Sequence, residues 1–215
     1  MSLFVALAGN IGIGKTTVTN LIAETFGYRR LLEPVVDNRF LSAYYADMGR
    51  WSFTLQMEFL LRRIEHHRQV DTEDHSYIQD RTLLEDPEIF AKYLHGLGNM
   101  TDTELDLYFD YCRMLMPSVR QPDRIIFLRC DDVNILLRRI AERGRREERG
   151  ITAQFLRGLA HYYATFPEVC ERKYKIPTLS VDVSALDVRK ESGRAAFLGQ
   201  IEAFLSPSGG SGSLF

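Results

Sequence analysis

The sequence predicts an α/β fold in which a five-stranded parallel sheet is flanked by helices. Three observations point there. Short apolar runs of strand character alternate with stretches whose apolar residues recur at helical spacing. Each run enters a polar turn at its C-terminal end, and the first run leads through a glycine-rich loop into a helix. The 215-residue chain suits one compact domain over residues 1–205.

The expected strands are Leu3–Ala8, Arg30–Leu32, Tyr77–Gln79, Ile125–Leu128 and Thr178–Val183. The first expected helix, Thr16–Phe26, carries Val18, Leu21, Ile22 and Phe26 at helical spacing. Asp37–Ala46, Ser52–Val70 and Pro87–Leu94 follow. Asp102–Met116 has a capping box in Thr101 and Glu104 and a stop in Pro117. Val133–Arg143, Ala153–Lys173 and Lys190–Leu205 complete the set. Residues 206–215 are Ser- and Gly-rich with little to bury, so a flexible tail is expected there.

A net charge of -2 and a pI near 6.2 give no global pull toward nucleic acid or membrane, so small-molecule partners are expected. Cys112, Cys130 and Cys170 are odd in number and widely spaced, which suits free thiols in a reducing compartment. No cleavable signal precedes the first strand, and no apolar run approaches the ~20 residues that span a bilayer. A cytoplasmic protein is the expectation.

The chemistry starts at Gly9-Asn10-Ile11-Gly12-Ile13-Gly14-Lys15-Thr16, which has the form G-x-x-x-x-G-K-[ST] behind a strand and before a helix. Such a loop turns successive backbone N–H groups onto a β-phosphate. Lys15 neutralises the β/γ oxygens, the Thr16 hydroxyl ligates Mg²⁺, and Thr17 continues the cradle. Lys15 is expected to stand exposed in the empty loop. Ligands of open parallel sheets gather beyond the carboxyl ends of the strands. Strand two leaves through Glu33-Pro34-Val35 and strand three through Asp80-Arg81, whereas Asp131 and Asp132 follow strand four. Glu33 as a solvated turn residue and Asp80–Arg81 as a structural ion pair stay open on these grounds. Further on, Arg139, Arg143 and Arg146 lie at helical spacing with Gly144 as a hinge, which suits an arginine lid over a triphosphate or an exposed charged helix end.

Taken in order, these motifs resemble the deoxyribonucleoside kinases, in particular the bacterial deoxyadenosine/deoxyguanosine kinase and deoxycytidine kinase-like branch. The resemblance spans about Leu3 to Val183. It rests on the phosphate loop, Glu33-Pro34-Val35, Tyr45 with Trp51-Ser52-Phe53-Thr54-Leu55-Gln56, Asp80-Arg81-Thr82, and Arg139 with Arg143-Gly144-Arg145-Arg146-Glu147-Glu148. Thr82 stands where the family has serine, and the hydroxyl is retained. The resemblance implies a P-loop kinase fold with an arginine-rich lid, and an ATP- and Mg²⁺-dependent phosphorylation of a deoxynucleoside 5′-hydroxyl in nucleotide salvage. It implies Glu33 as general base, Arg81 holding Glu33 and the reacting oxygens, and Asp80 with Thr16 at the metal, with Asp131 as the rival carboxylate. Arg139, Arg143 and Arg145 would engage phosphates, the family pattern favouring 145 over 146. Tyr45 and Glu148 would meet the 3′-hydroxyl, and Gln56, Arg63, Asp86 and Phe90 the base. Asp182, Val183 and Ser184 would face the adenine of ATP.

Phosphoryl transfer needs positioning and electrostatic stabilisation more than a covalent nucleophile, which suits this residue set. Gln56 and Arg63 are seven apart on one expected helix and share a face. An ionised Asp86 only accepts hydrogen bonds, so it matches the exocyclic amine of adenine or cytosine and repels the thymine O4, while Arg63 can donate to guanine. Thymidine is disfavoured on these grounds and deoxycytidine is allowed, and it is the overall resemblance that favours purine deoxynucleosides. A monophosphate kinase of thymidylate kinase type and a non-catalytic nucleotide-binding protein are the alternatives. Broad apolar faces on Ser52–Val70 and Asp102–Met116, and the family's pairing through those helices, imply a homodimer.

Overall fold

The computed structural model describes residues 2–32, 38–71, 75–184 and 191–206. Among them, five strands form one parallel sheet in the order β2-β3-β1-β4-β5. They are β1 (Phe4–Ala8), β2 (Arg29–Leu31), β3 (Tyr77–Asp80), β4 (Arg124–Arg129) and β5 (Thr178–Asp182). Each matches an expected strand to within two residues.

Helices α1 (Lys15–Phe26), α2 (Leu41–Ala46), α3 (Met48–Asp71), α4 (Lys92–Gly96) and α5 (Asp102–Leu115) surround the first part of the sheet in chain order. They are followed by α6 (Val133–Arg143), α7 (Ala153–Tyr163), α8 (Phe166–Arg172) and α9 (Glu191–Leu205). The capping box at Thr101 and Glu104 forms as expected, each side chain taking the other's backbone N–H.

The central strand β1 is buried along its whole length, and the two-residue strand period divides its side chains between two cores. Val5 and Leu7 join Ile126, Leu128, Ile22, Leu136 and Phe197 on the α1, α6 and α9 face. Ala6 and Ala8 join Ile125, Phe127, Leu159, Phe166 and Cys170 on the α7 and α8 face. A further core of Leu55, Leu60, Ile64, Leu83, Leu94 and Tyr108 knits α3 and α5 to the segment after β3.

Three expected helices are corrected. Ala153–Lys173 is two helices, because Pro167 lies at the start of α8 and has no N–H to continue α7. Pro87–Leu94 starts as a π-helical turn over Asp86–Ala91 before α4 takes over. The helix expected from Asp37 begins at Leu41 after a turn in which the Asn38 side chain accepts from Phe40 N–H; Asp37 lies outside the described residues. The expected tail beyond Ser206 also lies outside them.

Candidate active site

The phosphate loop runs from the end of β1 to the start of α1. A Cβ at Gly9 or Gly12 would fall 2.7 Å from the Leu128 or Leu136 carbonyl oxygen, so backbone packing excludes any side chain there. Asn10 anchors the loop by donating from Nδ2 to the Leu156 carbonyl (2.9 Å) and accepting from Ile11 N–H (2.8 Å). Lys15 is not exposed as expected. It is buried, with Nζ donating to the carbonyls of Gly9 (2.7 Å) and Asn10 (3.0 Å), because an ammonium flanked by loop carbonyls gains more from them than from partial hydration. Ile11, Gly12, Ile13, Gly14, Thr16 and Thr17 line a cleft of about 720 Å³ with it.

At the carboxyl end of β3, the Thr16 hydroxyl donates to Asp80 Oδ2 at 2.5 Å. These hard oxygens fit Mg²⁺, which retains waters and substrate phosphates in its shell. No cluster of three or more His, Cys, Asp or Glu able to cage a metal occurs among the described residues. Asp131 is exposed, pairs with Arg129 at 3.4 Å and is not part of the cleft wall. Next to Asp80, Arg81 adopts φ 73°, a left-handed conformation that costs about 1–3 kcal/mol in a residue with a Cβ. Its guanidinium lies 4.7 Å over the Phe90 ring and donates to Glu85 (3.2 Å) and to the Tyr163 hydroxyl oxygen (3.1 Å).

The basic stretch forms the opposite wall. Arg139 donates to the Ile13 carbonyl (2.9 Å) and the Val183 carbonyl (3.3 Å), tying α6 to the phosphate loop. Arg143 grips Glu148 through Nε (3.0 Å) and Nη2 (2.6 Å), and Arg145 approaches the same carboxylate at 3.4 Å. These arginines and Glu148 all line the cleft. Helical spacing does not carry through to Arg146, since α6 stops at Arg143 and Gly144 turns the chain with φ 69°. Of the adenine-loop candidates, Val183 lines the cleft, whereas Asp182 is engaged by Arg129 (3.0 Å) and Ser184 N–H (2.8 Å) away from it.

At the far end of the cleft, α3 supplies Gln56 and Arg63 and the π-helical turn supplies Asp86 and Phe90. Arg63 Nε lies 2.6 Å from Asp86 Oδ2, with only 3% and 2% of the two side chains exposed. Burial pushes the Asp86 carboxyl up to about 6, while Arg63 and then Arg81 oppose the rise. It stays ionised at neutral pH. Tyr45, from α2, lines the same end. Glu33 lies outside the described residues, but Leu32 before it borders the cleft.

A single cleft thus joins a phosphate loop, lid arginines and a dry Arg–Asp pair, and comparison with known proteins follows that arrangement. A model of the deoxynucleoside kinase family matches residues 5–206. The chain belongs to that family. The deoxyadenosine/deoxycytidine kinase of Bacillus subtilis (strain 168) is 36% identical over 146 residues, 67% of this chain and 67% of that protein. The deoxyguanosine kinase of the same organism is 29% identical over 185 residues, 86% and 88% of the two chains. Among solved structures, the deoxyadenosine kinase from M. mycoides with bound dATP matches with a TM-score of 0.79 and 30% identity, covering 93% of this chain and 99% of that one. The same protein with products dCMP and a flexible dCDP gives 0.81 and 30%, covering 94% and 100%. The expected P-loop kinase fold, and the expected class of enzyme, are those of this deoxynucleoside kinase.

Several residues of the kinase cleft escaped sequence reasoning. Phe59 lines it beside Arg63, whose guanidinium lies 5.5 Å over the ring; it follows Gln56 by three residues and precedes Arg63 by four, so helical spacing was a usable signal. Leu41, Tyr44 and Phe155 add an apolar wall that no motif marks, together with Leu55, which the motif contains without a role assigned to it. Behind Arg81, Glu85 is fully buried and bonded to the phosphate loop and to Tyr163.

Proposed function

We propose that this kinase transfers the γ-phosphoryl group of ATP to the 5′-hydroxyl of a deoxyribonucleoside, with purine deoxynucleosides favoured, deoxycytidine accepted and thymidine poor. The observation that carries the proposal is the one cleft that has phosphate-binding groups at one end and the buried Arg63–Asp86 pair at the other. Lys15, Arg139, Arg143 and Arg145 stabilise charge on the phosphates, and Mg²⁺ held by Thr16 and Asp80 supplies further neutralisation. The 2.5 Å contact between Thr16 and Asp80 supports that carboxylate over the exposed Asp131. Glu33 takes the 5′-hydroxyl proton, a role that rests on the family resemblance and on Leu32 bordering the cleft. Gln56, Arg63, Asp86 and Phe90 hold the base, and Tyr45 and Glu148 the sugar.

The test is ADP formation from ATP and Mg²⁺ with deoxyadenosine, deoxyguanosine, deoxycytidine, thymidine and their monophosphates, on wild type and Glu33→Gln. Nucleosides are expected to be acceptors, and Glu33→Gln is expected to lower kcat by roughly 10²–10⁴ for all of them with little change in binding. Turnover on monophosphates alone overturns the acceptor assignment, and an unchanged kcat in Glu33→Gln removes its role as base.

We also propose a homodimer through α3 and α5, where Leu61 (50%), Leu107 (43%), Tyr111 (36%) and Met114 (64%) stand exposed. Sedimentation is expected to give twice the 24.8 kDa chain mass. A concentration-independent monomer contradicts it. Free Cys112, Cys130 and Cys170 support a reducing, cytoplasmic setting, and no helix among the described residues is long and apolar enough to cross a membrane.

A further inference from the structure

Glu85 lies outside every motif named above, yet it is 0% exposed and its two oxygens collect four donors. Oε1 accepts from Gly9 N–H at 3.1 Å, from Arg81 Nη1 at 3.2 Å and from the Tyr163 hydroxyl at 2.6 Å; Oε2 accepts from Thr82 N–H at 2.8 Å. Gly9 opens the phosphate loop and Arg81 directly follows β3, so one carboxylate links the two adjacent strand exits that face the reacting groups. Tyr163 completes the link from the opposite side: its oxygen accepts from Arg81 Nη1 at 3.1 Å and lies 3.1 Å from the Gly9 carbonyl. Its ring is held by stacking on Phe127, with centroids 5.9 Å apart.

From this geometry we infer that Glu85 is a positioning residue, which holds the Arg81 guanidinium in fixed register with the phosphate loop. The inference rests on the proposed phosphoryl transfer and on the role at the reacting oxygens that the family resemblance implies for Arg81. The left-handed backbone of Arg81 directs its side chain back toward Glu85, and the bonds from Thr82 N–H and Arg81 Nη1 to one carboxylate hold that turn. Without them, the Arg81 guanidinium loses the carboxylate that sets its position over Phe90, and a misplacement of about 1 Å at a reacting centre costs on the order of 10²-fold in rate. A glutamine cannot substitute. Its oxygen can occupy one corner only, and its NH₂ then faces either Thr82 N–H or the Gly9, Arg81 and Tyr163 donors.

The experiment compares wild type, Glu85→Gln and Tyr163→Phe in steady-state kinetics with ATP, Mg²⁺ and the preferred deoxynucleoside, below the melting temperature of each. Glu85→Gln is expected to lower kcat by about 10- to 100-fold while the nucleoside KM stays within about threefold. Tyr163→Phe, which loses one hydroxyl and keeps the stacked ring, is expected to show the same split at about three- to tenfold. A structural role alone lowers Tm and leaves kcat of the folded fraction unchanged in both variants, and that result overturns the inference. If Glu85→Gln does not fold, Tyr163→Phe decides by the same criterion. A wild type inactive on every deoxynucleoside overturns the parent proposal instead, and with it this one.

Discussion

The two ends of the cleft are built in different ways. At the phosphate end the positive charge is held by backbone or by neighbours that a ligand can replace: Lys15 rests on two loop carbonyls, and Arg143 and Arg145, 33% and 29% exposed, rest on Glu148. At the acceptor end Arg63 and Asp86 are paired at 2.6 Å and nearly sealed from water. Removing one partner of a buried pair leaves the other charge uncompensated, whereas a half-exposed pair can be re-formed with solvent or phosphate at small cost. The phosphate end is therefore built for exchange and the acceptor end for fixed shape, and substitutions should separate the two.

Lys15→Ala should give the largest effect on turnover, on the order of 10³-fold in kcat or more, because Lys15 is the only lysine among the described residues that line the cleft. Single-turnover rates within tenfold of wild type would contradict the phosphate-loop assignment. Next comes Asp86→Ala. It removes the carboxylate paired with Arg63 Nε and is expected to lose about 3–5 kcal/mol of stability in denaturant titration. In the folded fraction the carboxylate no longer opposes the thymine O4, so the kcat/KM gap between thymidine and purine deoxynucleosides narrows by about 1–3 kcal/mol. An unchanged gap removes Asp86 from base selection. Arg143→Lys keeps the charge but loses the planar grip seen on Glu148, and we expect roughly a tenfold loss in kcat with stability within about 0.5 kcal/mol of wild type. Equal losses in stability and rate would place Arg143 with the buried pair and dissolve the contrast.

The smallest effect is a pH dependence. Asp86, faced by Arg63, Arg81, Glu85 and Tyr108, has a folded value of about 6 against an ordinary 3.8. The folded state therefore holds the proton more tightly. Asp86's contribution favours folding below about pH 4 and is lost as pH rises through about 6. Melting temperatures of wild type and Asp86→Asn at pH 5 and pH 7.5 check this: the wild type should gain on the variant at the lower pH. A difference that does not change with pH contradicts the burial argument.

The same contrast explains what was legible in the sequence. The phosphate loop is eight contiguous residues whose glycines are demanded by close backbone packing at Gly9 and Gly12 and by a φ of 103° at Gly14, so its chemistry is local and visible. The inner strands β1 and β4 were visible for a related reason, since strands buried on both faces are largely apolar, whereas the edge strands β2 and β5 are partly exposed and carry a weaker pattern. The acceptor end is assembled from α2, α3 and the π-helical turn, and Gln56, Arg63 and Asp86 had assigned roles only through the family pattern. Glu85 and Tyr163 meet at 2.6 Å across 78 residues of chain, a distance no periodicity encodes. Lys15 was misjudged because its burial depends on how the loop carbonyls turn, which side-chain identity does not reveal.

The central place of β1 has a consequence for how this protein is made. It is the first strand of the chain, yet its two neighbours come much later: Phe4 pairs with Tyr77 on one side and Val5 with Arg124 on the other. An apolar strand with both edges open must wait until most of the chain is available, which makes folding slow and early chains prone to stick to one another. Nucleotide binding to the loop that leaves this strand selects only molecules in which both neighbours have arrived. A thermal shift on adding ATP therefore measures the finished sheet and not a prefolded amino-terminal fragment.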